Sequence, residues 1–276
     1  MSRFTDSLGS LKAAASKLRS VEIARLQGVP GTGAVTIWID GERARVLAPS
    51  GAHGASVALA TPGDVQAASK AFEQLAPKPA RPGLHMLRVL VGAPFVRYFA
   101  LPWQPLPKPQ DWISAARMQF VQAGVQGVEQ WRFTIADGPW GEGRLAAAVP
   151  EALCAGVAHV CKARRLMLLG MEPAFTFALS KHARRMRDGA IAVAELEETS
   201  ARAAIAHIGL RHGGQWTAFI ALPVPDRIDD VLRDALALWD APPPERLYVI
   251  GPGGAQRWVE DAAHIEWLPA PWDAAA

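Results

Sequence analysis

The residues that could do chemistry are few and poorly grouped. Cys154 and Cys161 lie seven positions apart with His159 between them. On a helix such thiols share a face, but 1.5 Å of rise per residue sets them about 10 Å apart. One metal ion does not span that gap, so they read as small buried hydrophobes. Glu195, Glu197 and Glu198 crowd a single stretch. Strand alternation puts Glu195 and Glu197 on one face, and with no paired histidine they read as a solvated surface. Lys181, His182, Arg184, Arg185 and Arg187 gather at the end of a helical pattern. Cations there suit the helix dipole; Lys181, Arg184 and Arg185 are also candidate contacts for an acidic partner or phospholipid headgroups.

The familiar catalytic signatures are missing. No lysine precedes Ser or Thr, so there is no phosphate-binding P-loop. Gly28, Gly31 and Gly33 miss the dinucleotide fingerprint and precede a strand rather than a helix. The chain has no H-E-x-x-H, no G-x-S-x-G and no cysteine pairs at zinc spacing. No catalytic residue, metal ligand or obligatory cofactor is assigned.

Composition sets the frame in which these residues sit. Of 276 residues, 50% are hydrophobic and 20% charged, which excludes global disorder and suggests two domains or two lobes. Apolar runs fall well short of the roughly 18 residues of a membrane span, and no signal-peptide core is present. Two cysteines make no disulfide framework, so a cytoplasmic location is expected. Net charge is only +3, with no concentrated basic face for nucleic acid. The first 25 residues are cationic, and the stretch 226–240 carries Asp226, Asp229, Asp230, Asp234 and Asp240. The ten tryptophans are scattered and read mostly as core or lobe packing.

The elements that position these residues follow from periodicity. Met1, Phe4, Leu8, Leu11, Ala15 and Leu18 recur at helical spacing. Residues 1–21 thus form an amphipathic helix that covers the body, meets a partner through Phe4, Leu8, Leu11 and Leu18, or lies on a membrane. Strands 34–39 and 43–48 flank Asp40-Gly41, a dipeptide favouring a type I′ turn. Residues 56–60 suggest a third strand, and Thr61 and Pro62 open a helix to Leu75 as N-cap and first position. Strands at 87–91 and 95–101 follow, then a helix over 111–122, strands at 131–135 and 144–149, and a helix over 151–162. The same grammar then repeats: a strand at 166–170, a helix over 173–186, and strands at 190–196, 203–210 and 215–222. A helix over 227–239 capped by Asp226 and a strand at 247–250 complete it. The reading is α/β, mixed-sheet, with lobes at 22–150 and 151–276.

Four segments carry a resemblance. Arg88–Tyr98 with Leu101-Pro102-Trp103, then Met171-Glu172-Pro173-Ala174 with Phe177-Ala178-Leu179, come first. His212-Gly213-Gly214-Gln215-Trp216 and Tyr248–Gly254 follow in order. Together they resemble a bacterial family of actin-like assembly proteins: PilM of type IV pili, the MSHA-pilus proteins and the GspL cytoplasmic domain of type II secretion. The resemblance implies a two-lobed actin-like (ribonuclease-H-like) fold with reduced subdomains. It also implies a place at the inner face of a Gram-negative inner membrane, with a PilN-like or GspM-like membrane partner. A secretion motor ATPase and a homodimer are further partners it suggests.

Family ATPases hold nucleotide between two D-x-G-[ST] hairpins whose amides and hydroxyls cradle phosphate. Here Asp40-Gly41-Glu42 lacks the glycine and the hydroxyl at the required offsets, and 190–199 holds carboxylates without glycine. Asp40, Gly41, Gly251, Gly253 and Gly254 remain the candidate nucleotide contacts. The expectation is a non-catalytic scaffold of a pilus or type II secretion platform. The alternatives are an ATPase with an atypical phosphate site, taking ATP and Mg²⁺, and a membrane-surface protein docking through residues 1–20.

Overall fold

The computed structural model describes residues 33–47, 53–80, 83–198, 204–224, 227–239, 242–251 and 265–270. The N-terminal segment with Phe4, Leu8, Leu11 and Leu18 lies outside them, as do Asp226, Gly253 and Gly254.

The first sheet begins with a hairpin of β1 (Gly33–Ile39) and β2 (Arg43–Leu47), extended by β3 (His53–Ala58). The hairpin forms where expected, but not as a type I′ turn, because none of Asp40, Gly41 and Glu42 has a positive φ. The Asp40 carboxylate instead accepts hydrogen bonds from the Glu42 and Arg43 amides, both at 2.8 Å. That local acceptor makes an Asx-type turn without left-handed backbone.

Helix α1 (Val65–Leu75) starts three residues later than Thr61 and Pro62 suggest. Asp64 is its N-cap, accepting from Ala67 N at 2.7 Å. Its Ala67, Ala68, Ala71 and Phe72 stripe is buried. Strand β4 (His85–Val91) then lies parallel to β1, and five of its seven residues are buried. It lies between β1 and β8 (Met167–Pro173), and a parallel strand covered on both faces needs such a run.

Between β4 and β8 the chain inserts a small unit. It contains β5 (Arg97–Leu101), α2 (Pro109–Gln122), a 3₁₀ turn at Val128–Gln130, β6 (Trp131–Ile135) and β7 (Arg144–Pro150). The strands form a sheet of order β5-β7-β6. Trp112, Ala116 and Phe120 of α2 pack on its Leu101, Phe133, Ala146 and Ala148. Helix α3 (Glu151–Ala163) returns the chain to β8, and α4 (Ala174–His182) leads onward, ending short of the expected Met186. Strand pairing therefore carries the first sheet past residue 150, to β8.

The second sheet repeats the first. β9 (Ala190–Glu198), β10 (Ala204–His212) and β11 (Gln215–Val224) form an antiparallel meander. Helix α5 (Ile228–Trp239) crosses to β12 (Arg246–Gly251), parallel to β9, and β13 (Ile265–Pro269) joins as a fifth strand. The orders β3-β2-β1-β4-β8 and β11-β10-β9-β12-β13 are one topology used twice. Three antiparallel strands are followed by two parallel ones, the ribonuclease-H-like unit whose duplication makes the two-lobed actin-like fold.

The pleat of β9 divides the core. Ala192, Ala194 and Leu196 face the cluster built on α5. Ile191 and Val193 face the other way, into a larger core shared with β1, β4 and α4. Alternation sends Glu195 and Glu197 to that same side, the seam between the two large sheets. Among the described residues seven large hydrophobics are exposed, including Trp103 and Trp140, whose rings lie 5.9 Å apart.

Candidate functional site

The seam overturns the solvated reading of the acidic stretch. Glu195 is 0% exposed and Glu197 only 7%. Glu198, the last residue of β9, is paired opposite Ala204 of β10. The carboxylates are buried because their strand alternation is continuous with Ile191 and Val193, and the opposite sheet covers that whole face.

Glu197 reaches across the seam to the loop after β4. Both of its oxygens accept from the Ala93 amide, at 2.8 and 2.9 Å. Gly92 makes the approach feasible, since a Cβ there would lie 2.6 Å from Glu197 Oε1. Gly92 N donates to Ile39 O at 2.9 Å, tying this loop to the end of β1. Gly41 is as closely covered: a Cβ there would lie 2.8 Å from Pro94 Cδ. Its carbonyl accepts from Gly63 N at 2.7 Å. Hairpin, loop and β9 thus meet at one place.

The electrostatics there follow from burial. Burial pushes the Glu197 carboxyl up to about 8, against the lowering pull of the Ala93 amide; Asp40 adds to the rise and Arg45 opposes it. Burial, reinforced by the charge of Glu197, holds Glu195 well above the ordinary carboxyl range. Asp40 is raised by burial too, opposed by its two amide donors and by Arg45 and Arg43. Neither oxygen of Glu195 has a hydrogen-bond partner. Directly across the ladder from it stands His207 on β10, 4% exposed and lowered to about 4 by burial. Tyr98 of β5 closes the group, its ring 5.6 Å from His207 and 5.4 Å from Phe175. Its hydroxyl accepts from Phe175 N at 3.1 Å.

These described residues do not fit a phosphate. The Glu42 and Arg43 amides are taken by Asp40, and the Ala93 amide is taken by Glu197. Buried carboxylates stand where an anion would need neutral donors. Gly251 ends β12 packed on neighbours: a Cβ there would lie 3.0 Å from Leu196 Cβ and 3.3 Å from Trp267. It belongs to the second sheet's packing and is not brought together with Asp40 and Gly41 by any contact described. No group of three or more metal-ligating side chains occurs among the described residues.

The remaining sequence candidates are dispersed. Cys154 and Cys161 are buried, free thiols, as expected, and burial raises both. His159 is exposed on the same helix. Lys181, Arg184 and Arg185 are exposed at the end of α4. Lys181 Nζ lies 5.2 Å from the Phe177 ring and Arg185 pairs with Glu266 at 3.4 Å. His182, between them, is buried with Nε2 2.9 Å from Pro269 O. A cleft of about 750 Å³ lies at the other end of β9, beside Ile191, Val193, Arg144, Arg211 and Trp216. The sequence reading missed His207 and Tyr98. Strand alternation in 203–210 was the one available signal for His207, which falls between buried Ala206 and Ile208.

No family model and no curated protein matches this chain. Among solved structures it is similar to the cytoplasmic domain of EpsL, an inner membrane component of the type II secretion system of Vibrio cholerae. That likeness has a TM-score of 0.50 at 13% identity, over 86% of this chain and 89% of that domain's chain. It is also similar to a PilM-PilN type IV pilus biogenesis complex, at 0.46 and 15%, over 82% and 83% of the two chains. A Bacteroides thetaiotaomicron protein of actin-like ATPase fold and unknown function gives 0.48 and 9%, over 80% and 82%. At such identities the EpsL likeness speaks for the fold alone.

Proposed function

We propose that this chain is a non-catalytic scaffold of an inner-membrane pilus or type II secretion platform, binding the cytoplasmic segment of a PilN-like or GspM-like membrane protein. The carrying observation is the self-filled seam. Glu197 occupies the Ala93 amide and Asp40 occupies the Glu42 and Arg43 amides, so these three backbone donors are satisfied from within. A fold shared with the EpsL cytoplasmic domain supports the choice of system. No helix among the described residues is long and apolar enough to cross a membrane.

The exposed cations Lys181, Arg184 and Arg185 are the contact proposed for an acidic stretch of that partner. Co-expression with the membrane protein encoded beside it should yield a complex that co-purifies at low salt. Arg184→Glu should weaken capture most strongly at low salt, and the loss should shrink as ionic strength rises. Two well-folded proteins that fail to associate would overturn the scaffold reading. Capture indifferent to Arg184→Glu would overturn only the placement of the contact.

A further inference from the structure

We propose that Glu195 and Glu197 form a proton-linked latch at the seam, holding the Gly92–Pro94 loop on β9 while protonated and releasing it on ionisation. This does not rest on the scaffold reading and is tested separately from it.

The geometry makes the pair unusual. Two carboxylates project from one face of one strand, two positions and so about 7 Å apart along it. Both are buried. One has no hydrogen-bond partner on either oxygen, and the other holds a single backbone amide from the opposite sheet. A buried carboxylate without a paired cation is costly and is relieved by taking up a proton.

Each surrounding element supplies too little charge to offset two anions. From β10 comes His207, neutral above about pH 4. From β5 comes Tyr98, whose hydroxyl is held above its ordinary range by burial and by the two glutamates. The β1–β2 hairpin brings Asp40, a third carboxylate, and Arg45, the one cation among the described residues that acts on Glu197. Arg45 also acts on Asp40 and lies 3.6 Å from the Trp38 ring centroid. Strand β12 places Ile250 beside Glu195, and the loop offers only the Ala93 amide. Among the described residues Arg45 serves both Asp40 and Glu197, Arg43 serves Asp40, and no cation acts on Glu195, which leaves protons as its counter-charge.

The sign follows from the direction of the shifts. Carboxyls raised by closure bind protons more tightly in the closed seam than in an opened one. Closure is therefore fully favoured below the ordinary carboxyl value of 4.5 and is lost as pH rises through about 8, the position of Glu197. His207 shifts the opposite way from 6.5, so above pH 6.5 it is neutral in both states and adds no slope. The useful window is pH 6.5–8.5.

Hydrogen exchange of the full chain across that window, corrected for intrinsic rates, reads the open-to-closed ratio at the peptide containing Ala93. The ratio should rise about tenfold per pH unit for each proton released. Glu197→Gln keeps an oxygen acceptor for Ala93 and should lower the slope by one proton, and the Glu195→Gln/Glu197→Gln pair should flatten it. A pH-independent ratio in the wild-type chain overturns the latch, as does an unchanged slope in the double variant. Should the double variant not fold, the wild-type profile still decides through an internal control, the α5 peptide. The latch requires protection to fall at 92–96 while α5 keeps its own. A parallel loss in both is general unfolding and overturns it.

Discussion

At the residue scale, burial without counter-charge governs the seam, and histidine and glutamate feel it in opposite senses. His207 is lowered to about 4, so the stability it contributes is present above 6.5 and is lost as pH falls through 4. Its ring sits 5.6 Å from Tyr98 and 6.3 Å from Phe219, an aromatic setting that accepts phenylalanine. His207→Phe should therefore gain on the wild type by up to about 1.4 kcal/mol per pH unit below 6.5, toward roughly 3 kcal/mol in all. Paired thermal melts from pH 7 to 4.5 would show it, and parallel curves would exclude the histidine as the cause. Gly92 is constrained from the other side of the seam. Gly92→Ala drives a methyl group into Glu197 Oε1 and should cost about 1–3 kcal/mol in denaturant unfolding. Combining it with Glu197→Ala should recover most of that loss; additive effects would mean the collision is not the reason.

At the element scale, local signals were legible wherever a single strand or helix decides the outcome. The alternation and turn residues around Asp40 announced the hairpin, and the apolar run at 87–91 announced a strand buried on both faces. Helix starts were less legible because two capping candidates lie three residues apart. Thr61-Pro62 satisfies the rule as well as Asp64 does, yet Gly63, at φ 73, is tied to Gly41 O. That tertiary bond delays the helix to Asp64. Asp64→Ala should accordingly cost about 1 kcal/mol, whereas Thr61→Ala should be within a few tenths of neutral in the same unfolding assay. Equal losses at the two positions would place the cap wrongly. Strand β13 escaped notice for another reason. Ile265, Trp267 and the intervening Glu266 alternate over only five residues, and their pairing with β12 is parallel and so not announced by any hairpin.

At the scale of the whole molecule, one five-strand topology is used twice, and what matters chemically lies where the copies meet. The repeated strand-and-helix grammar was visible in sequence, but the burial of Glu195 and Glu197 was not. Whether β9's odd-numbered face is wet or dry depends on the other sheet, more than a hundred residues away at Ala93. The same meeting of copies bears on nucleotide. In the actin-like family the phosphates lie between the lobes' hairpins, and here the Asp40 turn amides and the Ala93 amide are bonded to carboxylates of the chain itself. Millimolar Mg·ATP should therefore leave the melting temperature unchanged. A site filled to about 100 times its dissociation constant would add roughly 2.7 kcal/mol, and at about 2–4 °C per kcal/mol that shift is easily seen. Glu197→Ala frees one amide but leaves the Asp40 turn closed on itself, so this variant too should show no shift. A rise of several degrees in the wild type would mean that the internal carboxylates yield to phosphate, and the scaffold reading would give way to an ATPase. A rise confined to Glu197→Ala would instead identify that side chain as the group keeping anions out of the seam.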